Sequence, residues 1–526
     1  MSEDEETEPR PPWAALVALS AGVSLIIIDA TIVNVALPTI IDDLHLTLTR
    51  AEWINSVYAL VFASLLILFG RVGDAIGRKR LFIGGIALFV GASLLAALAP
   101  SGGWLIAARV VQGVGGAAVL PTSLSLVNAT FRGSARGVAF GVWGATIGGM
   151  AALGPLAGGL LTEYAGWRWI FLVNLPLGAI VAGAAFRFVP ESRDPTPVRS
   201  WDVPGVITLA LGLALLVFGL IEGQNYGWLR PEDTFGIAGH EWPLGSLSPI
   251  PVAFAVSALS LGSFLLIERR ATQPLVDFGL FRLRSFSAGN VAALIVALGE
   301  FGLVFTIPLF LQSVLGLSPL QAGATLAVTA LGALVAGGAA AALSKRIGPR
   351  TVARSGLGLE AVGLLSYALL VGADISVWRL VPPLFVYGLG VGLATAQLTS
   401  VILADVPAVR SGQASGIQST SRQIGSALGI AILGATLSAG LASQSASRLV
   451  EAGVPAPAAD ATAKIVRASG GTAIPALSTR LPAEAADALH MAAAAATRTT
   501  GLVAAGFVLI GLVATFMLPH QRHEDL

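Results

Sequence analysis

Long apolar stretches, broken at near-regular intervals by short clusters of charge, run through the whole chain. Fourteen of them read as helices, at about 13 to 37, 53 to 70, 80 to 99, 104 to 127, 137 to 161, 168 to 189, 204 to 222, 249 to 267, 287 to 312, 321 to 343, 351 to 371, 378 to 402, 412 to 440 and 496 to 518. About 20 residues suffice for a helix to cross a hydrocarbon core about 30 Å thick. The polar breaks are not equivalent. Arg71 to Arg80, Arg132 with Arg136, Arg187 to Arg199, Arg269 to Arg284, Lys345 to Arg354, and Arg410 fall in alternate loops, whereas the short loops between them hold mostly single arginines, Arg50, Arg168, Arg230 and Arg379. Short loops rich in Lys and Arg stay in the cytoplasm. The alternation, with an even helix count, therefore predicts that both termini are cytoplasmic.

The most informative break is Gly70-Arg71-Val72-Gly73-Asp74-Ala75-Ile76-Gly77-Arg78-Lys79-Arg80. It must reverse the chain between two apolar runs in about ten residues, and its glycines allow that turn. A glycine, an aspartate four residues on, and then Gly-Arg-Lys resembles the signature loop of the major facilitator superfamily of secondary transporters. One departure is Ala75, where that family usually has a basic residue. The resemblance implies a conformational gate at Gly70, Asp74, Gly77 and Arg78. In that gate Asp74 would face the helix start near Arg410-Ser411-Gly412, where a helix dipole attracts a carboxylate.

Composition narrows the class. The chain has 526 residues, 12% of them charged, a mean hydropathy of +0.80 and a formal net charge of +1. An ordinary soluble globule and a nucleic-acid partner are both disfavoured. With no cysteine and only five scattered histidines, an enzyme, a metal site and a cofactor are not expected. The acidic start Met1-Ser2-Glu3-Asp4-Glu5-Glu6 is unlike a secretory signal, so the first run is expected to stay as a membrane helix.

Lys345 to Arg350 follows the tenth run much as Asp74 to Lys79 follows the second. This internal repeat predicts an all-α membrane protein of the major facilitator fold: two six-helix bundles at 13–190 and 285–518, joined by a linker at 191–284 that carries the seventh and eighth helices. The tails are 1–12 and 519–526. Transporters built this way place substrate near the bilayer midplane between the repeats. The stretch 441–491 is expected as an Ala-rich outside loop, in part helical, and loops of that length are usually functional or disordered.

Three further stretches resemble the drug:H⁺ antiporter branch with fourteen helices, the multidrug exporters. They are Leu25 to Pro38, with Asp29-Ala30-Thr31-Ile32-Val33-Asn34 at its centre; Trp167 to Gly178; and Gln312 to Gly316. In that branch the acid of the first helix takes part in coupling and in recognising cationic drugs. Arg109, in Arg109-Val110-Val111-Gln112-Gly113, resembles the arginine that the family assigns to proton coupling. Gly154-Pro155-Leu156-Ala157-Gly158-Gly159 is similar to the exporter motif of the fifth helix, although Met150 stands where the pattern has glycine.

Physical reasoning points to the same residues and adds others. Ionisable groups deep in apolar helices mark functional pathways and must face water or a partner, and burial favours the neutral form of a carboxylate, which fits it to bind and release a proton. Asp29 is such a group, with Thr31 and Asn34 near enough to line the same cavity. Arg109 cannot deprotonate and needs a partner; Gln112 lies one turn away. Glu300, beside Phe301 and Phe305, is the second deep carboxylate, able to bind a cation or a proton. Tyr58, Trp143, Tyr387 and Gln397 are candidate cavity-lining residues, and Glu360 is expected to pair with Arg354.

These readings converge on a proton-coupled antiporter that exports hydrophobic cationic drugs by alternating access. It is expected to be a monomer in the bacterial cell membrane, with small-molecule cargo, protons and lipid as its partners. Two alternatives stand beside it: an exporter of a lipid or endogenous metabolite on the same fold, and a receptor or scaffold that transports nothing.

Overall fold

A computed structural model of the chain describes residues 13–131, 133–193, 202–231, 235–237, 240–242, 247–271, 274, 276–406 and 411–517. Both predicted tails and Arg410 lie outside these residues, as does the Asp74 side chain.

Each apolar run folds as helix, because a chain in lipid must satisfy its backbone groups internally. In order these are α1 (Trp13–Asp43), α2 (Leu48–Ile76), α3 (Arg78–Ala97), α4 (Gly102–Thr130), α5 (Gly133–Tyr164), the short α6 (Trp169–Leu172) leading into α7 (Asn174–Phe188), α8 (Val203–Tyr226), α9 (Pro249–Arg270), α10 (Arg284–Ser313), α11 (Pro319–Ile347), α12 (Pro349–Leu370), α13 (Val377–Leu403), α14 (Ser411–Glu451), α15 (Ala456–Ala468), α16 (Ile474–Ser478) and α17 (Ala483–Thr515). Among the described residues, eleven helical stretches are long and apolar enough to cross a membrane; α2, α5 and α12 are not among them. Several starts are capped by hydroxyls. Thr47 accepts from Arg50 N, and Ser318 forms a capping box with Gln321 at the head of α11.

Helix ends run past the apolar runs, since backbone hydrogen bonding continues into the polar margin. α1 carries Pro38 internally and ends at Asp43. The stretch 441–491, expected as an outside loop that is in part helical, is mostly helix: α14 extends to Glu451, α15 and α16 follow, and α17 begins at Ala483. Alanine is the best helix former, and hydropathy alone cannot see a polar Ala-rich helix. Between α8 and α9, Gly236–Ile237 pairs with His240–Glu241 in a two-residue antiparallel ladder.

Packing repeats along the chain. α1 packs on α5 and α7, α2 on α4, and α3 on α4 and α7; correspondingly α10 packs on α14 and α17, α11 on α13, and α12 on α13 and α17. The two sets meet through α5 against α11 and α2 against α14, with α9 packed on α8 and α8 touching α2 and α14. On the α5 seam the glycines are required. A Cβ at Gly158 would stand 2.6 Å from the Ile32 carbonyl oxygen of α1, and one at Gly159 would stand 2.5 Å from the Pro319 carbonyl of α11. Pro155 continues this seam, and its carbonyl abuts Gly323.

At one end of the molecule the two sets are tied together. Gln312 Nε2 of α10 donates to Val35 O of α1 at 2.9 Å, and Leu320 N of α11 donates to Glu163 Oε2 of α5 at 2.9 Å. The turn between α15 and α16 lies on the same end, with Gly470 against Leu48 of α2.

Candidate functional site

α1, α3, α4 and α7 bring one polar residue each, α4 two, to a shared point inside an otherwise apolar core. Asp29, Ser93, Arg109, Gln112 and Asn174 are all buried, Asp29 and Arg109 with 0% exposure. The Arg109 guanidinium pairs with Asp29, donates from Nη1 to Gln112 Oε1 at 2.9 Å and from Nε to Ile54 O at 3.2 Å, and lies 4.1 Å above the Tyr58 ring. Asp29 Oδ1 also accepts from Gln112 Nε2 at 3.2 Å and Asn174 Nδ2 at 3.0 Å, and both amides donate further to Ser93 Oγ. A buried charge is tolerated when it is paired and its remaining hydrogen-bonding capacity is filled. This network meets that condition almost fully, leaving Arg109 Nη2 and Tyr58 Oη without protein partners.

Asn34 and Thr31 do not join Asp29. Asn34 Oδ1 accepts from Asn55 Nδ2 at 3.0 Å, and Thr31 bonds back to the carbonyls of Ile27 and Ile28. A helix turns about 100° per residue, so five residues on, Asn34 points to a different neighbour. Trp143 is half-buried and donates to Ser123 Oγ at 3.3 Å.

The second ionisable centre is built differently. Glu300 Oε2 of α10 accepts from Arg422 Nη2 of α14 at 3.0 Å, and the Arg422 side chain keeps 29% of its surface exposed. The pair lines a small cleft together with Ala293, Val296, Ala394, Thr395, Leu398, Thr399 and Gln418. Phe301 lies 5.8 Å from the Arg422 guanidinium, and Phe305 is fully buried in the core. Tyr387 and Gln397, both on α13, are buried. Asp29 does not line this cleft.

Glu360 on α12 departs from its expected pairing. Arg354 instead donates to Thr515 O at 2.9 Å and stacks 4.4 Å from Phe516, and neither Glu360 carboxyl oxygen has a hydrogen-bond partner.

The charged turn is held by a partner that its sequence does not contain. Gly77 takes φ +116°, ending α2 and starting α3. Against it lies Glu191, which accepts from Lys79 N at 3.1 Å, while Arg78 Nη1 donates to Ser192 Oγ at 3.1 Å. Gly70 faces Pro121 of α4 in ordinary contact.

Ser93, Asn174, Glu191 and Arg422 had escaped the sequence reading. Arg422 carried a usable signal, since it is the only basic residue inside the run 412–440. Asn174 lies within the Trp167 to Gly178 stretch, yet nothing in one sequence says that it reaches α1.

The family described as the Major Facilitator Superfamily matches residues 19–430. The chain is 36% identical over 432 residues to the multidrug efflux pump LfrA of Mycolicibacterium smegmatis, covering 82% of this chain and 82% of that protein. It is 33% identical over 447 residues to the tetracenomycin C resistance and export protein of Streptomyces glaucescens, covering 84% and 79% respectively. Among solved structures, a bacterial homologue of the human lysosomal transporter Spinster, inward-facing and unoccupied, superposes with a TM-score of 0.59 at 19% identity, covering 98% of this chain and 99% of that one.

Proposed function

The chain belongs to the major facilitator superfamily, and from that premise we propose that it is a proton-coupled antiporter that exports hydrophobic, cationic drug-like molecules from the bacterial cytoplasm. It is a multi-pass membrane transporter rather than an enzyme. Relatives named for multidrug efflux and for tetracenomycin C export support drug-like cargo.

The observation that carries the reading is the Glu300–Arg422 pair at the cleft wall. A carboxylate beside apolar Val296 and Leu398 and the polar groups of Thr395, Thr399 and Gln418 suits an amphiphilic cation: the wall takes its apolar body, and Glu300 takes its charge in competition with Arg422. A neutral lipid would leave that charge pair without use. In this reading Asp29 and Arg109 form a fixed pole that holds four helices together, and Glu300 with Arg422 forms the working one. The packing repeat supports two bundles, 13–190 and 285–518, with α8 and α9 as the insertion; fourteen spans with both termini cytoplasmic rest on the apolar runs and the alternation of basic loops. The end tied by Gln312 and Glu163 is then the outer one. An exchange of one proton for one monovalent cation moves no net charge, so the proton gradient itself drives it, each pH unit supplying about 1.4 kcal/mol, roughly a tenfold gradient of cargo.

The test is ethidium efflux from energised cells expressing wild type or Glu300→Gln. Loss of efflux in the variant, with unchanged membrane abundance, is the expected result. Efflux equal to wild type would remove Glu300 from cargo recognition.

A further inference from the structure

Resting on that antiport reading, we propose that Glu360 is the residue that carries the exchanged proton, with Arg422 as the switch that discharges it. Glu360 is fully buried on α12, and both of its carboxyl oxygens lack a hydrogen-bond partner. The backbone of Gly390 on α13 presses against that of Glu360. Glu300 from α10, Arg422 from α14 and Tyr387 from α13 lie near enough to interact with it electrostatically. Arg354 on its own helix is engaged with Thr515 and Phe516.

The charge count then decides its state. Two acids share the neighbourhood of a single guanidinium, and Arg422 is bonded to Glu300. An ionised Glu360 would be a buried anion with neither donor nor counter-ion, which is among the costliest arrangements in a protein interior. A neutral carboxyl group needs no counter-ion. Glu360 therefore holds a proton while Arg422 stays on Glu300.

Exchange follows without further groups. A cationic cargo entering the cleft pairs with Glu300 and releases Arg422. The freed guanidinium stabilises the Glu360 carboxylate, whose O–H bond breaks as the proton passes to water on the side then open. The site thus gains one cargo charge and loses one proton. On the other side the steps reverse: a proton rebinds Glu360, Arg422 returns to Glu300, and the cargo is displaced. Glu300 and Glu360 divide the work, one holding the cargo and the other the proton. Phe301 and the apolar cleft wall are compatible with a desolvated cation.

The experiment uses the full chain in proteoliposomes with a trapped pH dye and ethidium as the probe cation. Wild type should move protons against ethidium; if it does not, the antiport reading itself fails. Glu360→Gln has the shape of the protonated acid and should fold and melt as wild type does, but, with no proton to release and no anion for the freed Arg422, should lose proton movement at least about tenfold. Proton movement per ethidium equal to wild type would overturn the assignment. If Glu360→Gln loses ethidium counterflow as well, Glu360→Asp decides: recovery of both fluxes supports a titrating role, and continued loss of both shows a structural one and overturns it. Separately, a lipophilic carbodiimide, which modifies protonated carboxyl groups, should label Glu360 near neutral pH and spare Glu300. An unlabelled Glu360 would overturn the proposal whatever the transport result.

Discussion

Asp29 and Glu300 stand at the same step of two helices that play matching parts in the packing, each the seventeenth residue of its helix, and each is met by an arginine from a different relative position. Asp29 takes Arg109 from α4, the fourth helix of its set, whereas Glu300 takes Arg422 from α14, the fifth of its own. The first pair is sealed, with side-chain exposures of 1% and 0%; the second leaves its arginine 29% exposed at a cleft. The two sets of helices thus match in the place of the acid and differ in its counter-ion.

The sealed pair makes a stability prediction. Asp29→Asn leaves Arg109 as an uncompensated buried charge, and breaking such a pair costs about 3–5 kcal/mol. Thermal melting of the purified protein should fall by several degrees. Arg109→Lys should do little better, because an ammonium cannot reach Asp29, Gln112 and Ile54 O together in the fork geometry of a guanidinium. A melting curve unchanged by Asp29→Asn would mean that the network contributes nothing.

The cleft pair should couple more weakly. A double-mutant cycle with Glu300→Gln and Arg422→Gln is expected to give an interaction of about 0.5–1.5 kcal/mol, less than the Asp29–Arg109 cycle, because water screens the exposed guanidinium. The two cycles measured side by side by chemical denaturation check the order. A larger coupling at the cleft would contradict the exposure argument.

Gly158 and Gly159 separate rigidity from motion. Gly158→Ala drives a methyl into Ile32 O within one set of helices and should destabilise by about 1–3 kcal/mol through overpacking. Gly159→Ala drives one into Pro319 O across the α5–α11 seam. That seam joins the two sets, so the methyl is accommodated by their separation and shows as altered transport with a smaller loss of melting temperature. Equal thermal costs for the two variants would show that the seam does not give.

Gln312 and Glu163 predict a population shift. Each crosses between the sets by one hydrogen bond, and a net contribution of about 1 kcal/mol apiece makes the joint loss worth about thirty-fold in an equilibrium. The chain has no native cysteine, so a single Ser313→Cys, buried beside Gln312 in the tied state, reports opening through its labelling rate. Labelling should accelerate in the Gln312→Ala, Glu163→Ala double variant. An unchanged rate would show that these bonds do not hold that end shut.

Helices and buried charges were legible in the sequence because both follow from one quantity, the cost of polarity in lipid. Asp29, Arg109 and Glu300 could be found by asking which charges interrupt apolar runs, and Arg422 would have yielded to the same question. Their partners could not, since pairing depends on how helices far apart in sequence rotate against one another. Asn174 reaches Asp29 across 145 residues, and Glu360 misses Arg354, although the two are six residues apart, because Arg354 turns toward α17. The Ala-rich helix α15 was legible only in part for the opposite reason: it is too polar for hydropathy to register and owes its form to alanine.

The turn between α15 and α16 is threaded onto the later half of the chain but rests on Leu48 of the earlier half. In the orientation proposed above, such a bridge behaves as a latch over the outer mouth. A binder fastened across it, for instance an antibody fragment spanning Gly470 and the head of α2, would arrest the transporter from outside the cell without ever competing with its cargo.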